Sequence, residues 1–437
     1  MEDILIYSTF FLVLLLTIKK TAISLAILLH INLFRAIPYV DYKHPFYGYY
    51  NENDVLLGAI LPALCFIIIL LKIFWGKKKI KFHLDIIDVF MFLLFLIMVI
   101  SILFSPNKFN SLYYTGIFIV LGCPFYFVTK LFFLNTKNAS KSFYLFISSV
   151  VFIAAVFSVI TLYLHSIAKY PYERMTFPGV YPILFCLFLC LAFIALIIYY
   201  IRPSFKTKLH KKTRLIFSLP ILLIIAFSIV KSNTRGPVFA MILSFLVILL
   251  MFFKVKLNIK IIMSFLFSLL VAFIVFITAF DINKIAVRFI NLAPKDSDSF
   301  TPRLLAYLDS LKLLVYKPWG ISVGTFGEIY SNDSNKEQSG VYAHNLFMEL
   351  ISSFGIIGVL LSFLIIYICL YEYNFIIKNQ KNIFLDHCFF ISIIFFLFFF
   401  FETQFSFTLN THKGWYLTMA LYSVFKFKFL KNKYDVE

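Results

Sequence analysis

The chain has 437 residues, of which 62% are hydrophobic and 14% charged, and it carries a formal charge of +19. That is too apolar and too poorly charged for an ordinary soluble domain. The basic excess is spread over short loops between apolar runs, which is a membrane-topology signature; it argues against nucleic acid as a partner.

Apolar runs of spanning length recur from end to end, and in lipid they must be helices, because an open sheet edge finds no partner there. They are too continuous for the alternating pattern of barrel strands. The first 37 residues read as one long tilted helix or as two helices broken at Lys19-Lys20. Further spans are predicted near 55–74, 84–104, 112–134, 143–164, 180–201, 215–230, 237–253, 261–280, 344–371, 388–408 and 414–425. The expected fold is all-α: one integral-membrane domain over residues 1–437, a polytopic bundle of about 12 (12–13) transmembrane helices. Basic residues fall on every second turn, as at Lys77 to Lys81, Lys137 and Lys141, and Arg202 to Arg214, which places the C-terminus in the cytoplasm. Twelve spans would put the N-terminus there as well; thirteen would put it outside. The six cysteines all lie in apolar runs and read as small core residues. The stretch Ile4 to Ile18 lacks a basic leader and a cleavage site, so no signal peptide is expected.

One outer segment is long, residues 281–342, and a large periplasmic loop of that length should hold structure of its own. Within it Leu304, Leu305, Leu308, Leu311, Leu314 and Val315 share a helical stripe, Thr301-Pro302 suits a helix start, and Pro318 ends it. Gly320, Gly324 and Gly327 then predict a loop whose backbone can approach a ligand, and Ser331 to Gly340 a polar tip. Asp296-Ser297-Asp298 has the spacing of a hard-cation site but reads as a solvated loop among serines. His44, His165 and His412 have no ligand spacing, so no metal site is expected.

The most informative polar residues are His344-Asn345, followed by nine residues and then Gly355-Ile356-Ile357-Gly358, where the long loop meets a membrane helix. An imidazole and a carboxamide at that boundary ask for a functional reason. Asn345 is placed to cap the helix, and the two glycines to permit close helix packing. Glu349 is placed to pair with an arginine; Glu402 either orients a base or cation or lies at the water boundary. Of the seven arginines, Arg202 and Arg214 fall on the inner side and Arg35, Arg174, Arg235, Arg288 and Arg303 on the outer side. A guanidinium binds phosphate bidentately, which suits an anionic headgroup such as a pyrophosphate. Snorkelling to lipid headgroups, or pairing with a nearby carboxylate, is the plainer reading of any one arginine. Arg235 stands out, because Lys231-Ser232-Asn233-Thr234-Arg235-Gly236 joins two spans with almost no loop.

Three features occur in order: Ser232 to Gly236 opening a span; Arg303, Pro318 and Gly320 to Phe326 in the outer loop; and the His-Asn-x9-Gly-x2-Gly segment. Together they resemble the O-antigen polymerase and O-antigen ligase superfamily (Wzy and WaaL types), over roughly residues 232–365 by motif and over the whole chain by topology. The resemblance implies a metal-independent, cofactor-free glycosyltransferase of the bacterial inner membrane, multi-pass, with its site on the periplasmic face. Its donor would be an oligosaccharide on undecaprenyl pyrophosphate, and its neighbours membrane lipids and possible partners such as a chain-length regulator and a flippase. A polymerase passes the glycan to the non-reducing end of another lipid-linked repeat unit; a ligase passes it to lipid A-core. Polymerases are described with arginine followed ten residues later by glycine, and neither Arg174 nor Arg303 has glycine at that spacing. In this reading His344 is the base or acceptor-activating residue, Arg235, Arg303, Arg288, Arg174 and Asn345 bind pyrophosphate or substrate, and Glu402 and Glu349 support them. A polysaccharide transporter or flippase is the remoter alternative; it would bind near the midplane with broken helices and often internal repeats.

Overall fold

The computed structural model describes residues 2–37, 56–76, 79–167, 175–178, 180–201, 211–252, 300–327, 329, 343–405, 409 and 412–434. Among these the regular structure is helical, with no strand. The predicted span at 261–280, Arg174, Arg288, the Asp296-Ser297-Asp298 pattern and the polar tip lie outside the described residues.

At the N-terminus two helices form, not one. Helix α1 covers Glu2–Lys19 and α2 Thr21–Leu29, with Lys20 between them in a non-helical conformation. The hydroxyls of Thr17 and Ser24 meet at 2.6 Å across the break. Lys72 Nζ donates to the Thr17 and Ile18 carbonyls at 3.2 and 2.7 Å and to Thr21 Oγ1 at 2.8 Å. The ammonium thus satisfies carbonyls that the end of α1 leaves without helical partners. A short α3, Ile31–Ala36, follows.

A π-helical turn at Leu56–Ile60 leads into α4, Leu61–Trp75. Helix α5 is Ile86–Ser101, extended by a 3-10 turn to Phe104. Helices α6, Lys108–Ile117, and α7, Cys123–Asn135, form one rod through a π-helical turn at Phe118–Gly122. Then come α8, Ala139–Ile167, α9, Pro182–Ile201, α10, Lys211–Ser232, and α11, Arg235–Phe252. After the long loop's helix α12, Phe300–Tyr316, come α13, Leu346–Phe354, α14, Ile356–Leu385, α15, His387–Glu402, and α16, Lys413–Tyr434. Among the described residues five segments are long and apolar enough to cross a membrane: Leu56–Trp75, Ile86–Phe104, Lys108–Asn135, Ala139–Ile167 and Ile356–Leu385. Shorter apolar helices accompany them, and the chain is a multi-pass membrane protein.

The last helix is the centre of the bundle. Tyr416, Ala420, Leu421, Tyr422 and Val424 on α16 are wholly buried, and α7 and α15 pack along it. Large apolar side chains such as Phe11, Phe92, Phe152 and Phe363 instead point outward, as lipid permits.

Two groups of buried charge lie on the inner faces of α5, α7, α14 and α16. Asp85 caps α5 in a reciprocal box with Asp88. Lys130 bridges both aspartates, Tyr126 donates to Asp88 at 2.9 Å, and Ser423 of α16 donates to Asp85. Nearby Glu372 of α14 accepts from Lys426 at 2.6 Å and from Tyr422 at 2.6 Å. Charges this deep persist only with partners, and these partners tie four helices together.

One predicted span is corrected. The segment 344–371 is not a single helix: α13 ends at Phe354, Gly355 turns the chain, and α14 runs on to Leu385.

Candidate functional site

The site is built around the start of α13. His344 has φ of 54°, a left-handed conformation uncommon outside glycine, and it turns the chain into the extended Asn345. Asn345 Oδ1 accepts from Phe347 N at 2.9 Å and Met348 N at 3.2 Å, the cap that the sequence predicts. Its Nδ2 donates to Gln404 O and Gln404 Oε1, both at 3.2 Å, and Leu346 N donates to Thr403 O at 2.9 Å. All four hydrogen-bonding positions of this carboxamide are therefore committed within the protein, as cap and as latch.

Glu349 is buried and reaches back to accept from Ala343 N at 3.3 Å. Among the described residues its hydrogen-bond partner is this backbone amide. His344 is thus held between two anchored neighbours, Ala343 before it and Asn345 after it. Asn345→Ala removes cap and latch together and should lower stability by about 1–2 kcal/mol, read as a lower thermal midpoint in detergent. Asn345→Asp keeps the capping oxygen but not the latch donor, so it should recover only the part of that loss that belongs to the cap; a midpoint no higher than that of Asn345→Ala would count against the cap.

Helix α12 packs against α13, and the charge of Arg303 is felt at His344. Burial, with the Arg303 guanidinium adding to it, depresses the His344 pKa to about 4. Both causes disfavour the imidazolium, so the ring is neutral near pH 7 and able to accept a proton.

Arg235 opens α11, just after Asn233 with φ of 48°. A side-chain carbon added at Gly236 would lie 3.3 Å from Phe405 Cβ, and the rings of Phe239 and Phe405 are 6.4 Å apart. The start of α11 therefore borders the Thr403–Phe405 turn, the same turn that latches Asn345. Glu402, at the end of α15, is buried and hydrogen-bonded to His412 Nε2. This partner was missed because His412 has no motif around it; the only signal was a histidine just before an apolar helix, opposite a carboxylate just after one.

The glycines close the structure from behind. Gly355 has φ 58° and ψ −129°, and a side chain there would strike the Pro318 carbonyl and Gly320 N. Gly358 lets α14 pass directly against the Leu350 carbonyl of α13. Ile356 N donates to Pro318 O at 2.8 Å, and Ser322 N to Ser353 O at 2.8 Å. Gly320 approaches the α13 backbone and Gly324 the Tyr114 ring. At Gly320 and Gly324 the close approaches are therefore to protein.

These elements, from α10 through the start of α14, coincide with one matched region. Residues 220–363 match a family model, Wzy_C, described as O-antigen ligase. The match supports the O-antigen ligase/polymerase superfamily for this part of the chain. Arg235, Arg303, His344, Asn345, Glu349 and both glycines fall within the matched Wzy_C region, whereas Glu402 and His412 lie beyond it. No curated protein and no solved structure matches the chain.

Proposed function

We propose that the protein is a polysaccharide polymerase on the periplasmic face of the bacterial inner membrane. It transfers glycan from undecaprenyl pyrophosphate to the non-reducing end of another lipid-linked repeat unit. The observation that carries this reading is His344, a neutral proton acceptor at the start of α13, within the electrostatic influence of Arg303 on the helix packed beside it.

In the proposed step the acceptor hydroxyl oxygen attacks the anomeric carbon and inverts it. The bond from that carbon to the diphosphate oxygen breaks, and the hydroxyl proton passes to His344. The departing diphosphate gains charge, which Arg303 and Arg235 stabilise, with Arg174 and Arg288 as further candidates. A diphosphate beside Arg303 also offsets the cation that disfavours the imidazolium, so donor binding strengthens the base as the reaction needs it.

Arg303→Gln should therefore have two effects in a transfer assay in proteoliposomes. Transfer at pH 7 falls, and the acid limb of kcat/KM, which reports the base in the free enzyme, moves up from about 4. Burial remains the larger cause, so the limb should stop short of an ordinary histidine value. A limb that does not move would remove His344 as the titrating base.

The second reading is an O-antigen ligase, favoured by the description of the matching family. A deletion strain analysed on a lipopolysaccharide gel separates the two. Core bearing a single repeat unit supports the polymerase; bare core, with polymer left on the lipid carrier, supports the ligase.

A further inference from the structure

Helix α12 is inside out for a soluble segment. Leu304, Leu308, Leu311 and Val315 are 47, 47, 44 and 77% exposed, while Ala306 and Ser310 on the opposite face are 1 and 0% exposed. The four apolar residues recur at the spacing of one helical stripe and form a continuous outward row. The small inward face packs on Ile321 and Phe326. In water a row of large apolar side chains turned outward, with alanine and serine inside, wastes the burial that would stabilise the helix.

What covers the row follows from its neighbours. Beyond the end of α12, Trp319 stacks on Phe104 at 6.2 Å between centroids, and Phe104 ends the spanning segment Ile86–Phe104. Along that segment Phe92, Leu96, Ile100 and Leu103 are themselves exposed on its lipid-facing side. The leucine row is thus continuous with a surface that already faces lipid. Its flanks are charged: Lys312, paired with Asp309 at 2.8 Å, lies to one side, and the exposed Lys317 follows. With Arg303, Asp309 and Lys312 in its length, α12 cannot cross the membrane.

We propose that α12 is an interfacial helix, lying in the plane of the bilayer surface with its leucine row in the acyl boundary of anionic lipid. Such helices combine an apolar face with basic residues for headgroups, and aromatic residues such as Tyr316 and Trp319 belong at that depth. The placement requires only that the protein sits in a membrane. If the glycosyl-transfer reading also holds, it sets Arg303 at headgroup depth, where the diphosphate of a lipid-linked glycan lies.

The test uses the full-length protein in liposomes of phosphatidylcholine and phosphatidylglycerol. Leu308→Cys and, as a second probe on the same row, Leu311→Cys are each labelled with a nitroxide, with Asp309→Cys as the flank control. Unmutated protein labelled in parallel gives the background of the native cysteines. Collision with oxygen should exceed collision with a water-soluble nickel chelate several-fold at 308 and 311, and the ratio should fall at 309. Nickel access above oxygen access at 308 and 311 would overturn the proposal in favour of a water-facing row. Protection from both reagents would overturn it in favour of a covering protein segment or second copy. No substrate is involved, so the outcome is independent of whether the enzyme reading stands.

Discussion

His344→Ala is expected to lower glycan transfer by about a hundred- to ten-thousand-fold, the range lost when a positioned general base is removed, while the protein accumulates normally in the membrane. The structure explains why the fold should tolerate the change. The neighbours of His344 anchor the turn: Ala343 N donates to Glu349, Asn345 caps α13 and binds Gln404, and Leu346 N donates to Thr403. What alanine alters besides the ring is the tolerance of the left-handed backbone at φ 54°. His344→Asn controls for that, because asparagine accepts this conformation readily and has no basic ring nitrogen. Loss of long-chain polysaccharide in both variants, at unchanged protein level, is the expected gel result. Wild-type chain length in His344→Asn would sink the catalytic reading.

Gly355→Ala should be severely damaging, because two penalties coincide there. The backbone at φ 58°, ψ −129° lies in territory that essentially belongs to glycine. An added methyl would also strike the Pro318 carbonyl and approach Gly320 N to 2.6 Å. Overpacking and backbone strain each cost about 1–3 kcal/mol, a large part of a typical stability of about 5–15 kcal/mol. The expected outcome is a strongly lowered melting temperature in detergent, or no folded protein at all. Ser353→Ala is the control; its carbonyl stays in place to accept from Ser322 N, and the midpoint should change little. A Gly355→Ala protein that melts like wild type would mean that the turn between α13 and α14 is not held as described.

The legible part of the fold was the part governed by local rules. The helices at 56–75, 108–135 and 139–167 follow from apolar length, the helix over 300–316 from its leucine period and the stop at Pro318, and the cap at Asn345 from its side chain. The break at Gly355 was not legible. The apolar pattern continues across it, and only the position of the Pro318 loop makes a side chain there impossible. Nor was it legible that Glu349 would accept from a backbone amide six residues before it, since that bond depends on the turn at His344. The leucine stripe of α12 was visible, but its periodicity does not say which way it faces.

By itself the sequence determined that this is a helical, multi-pass membrane protein. Hydrocarbon admits no other solution for so many long apolar runs. Only the tertiary structure decided which polar groups meet. It packed α12, which carries Arg303, on α13, and set the start of α11 at the turn of Thr403–Phe405. It also paired Glu402 with His412 and turned the leucines of α12 outward. Helix formation depends on neighbours within a turn or two and on the solvent, so it can be read along the chain. The meeting of side chains depends on close packing between distant segments, where a single methyl group at Gly355 or Gly358 decides whether two backbones can touch.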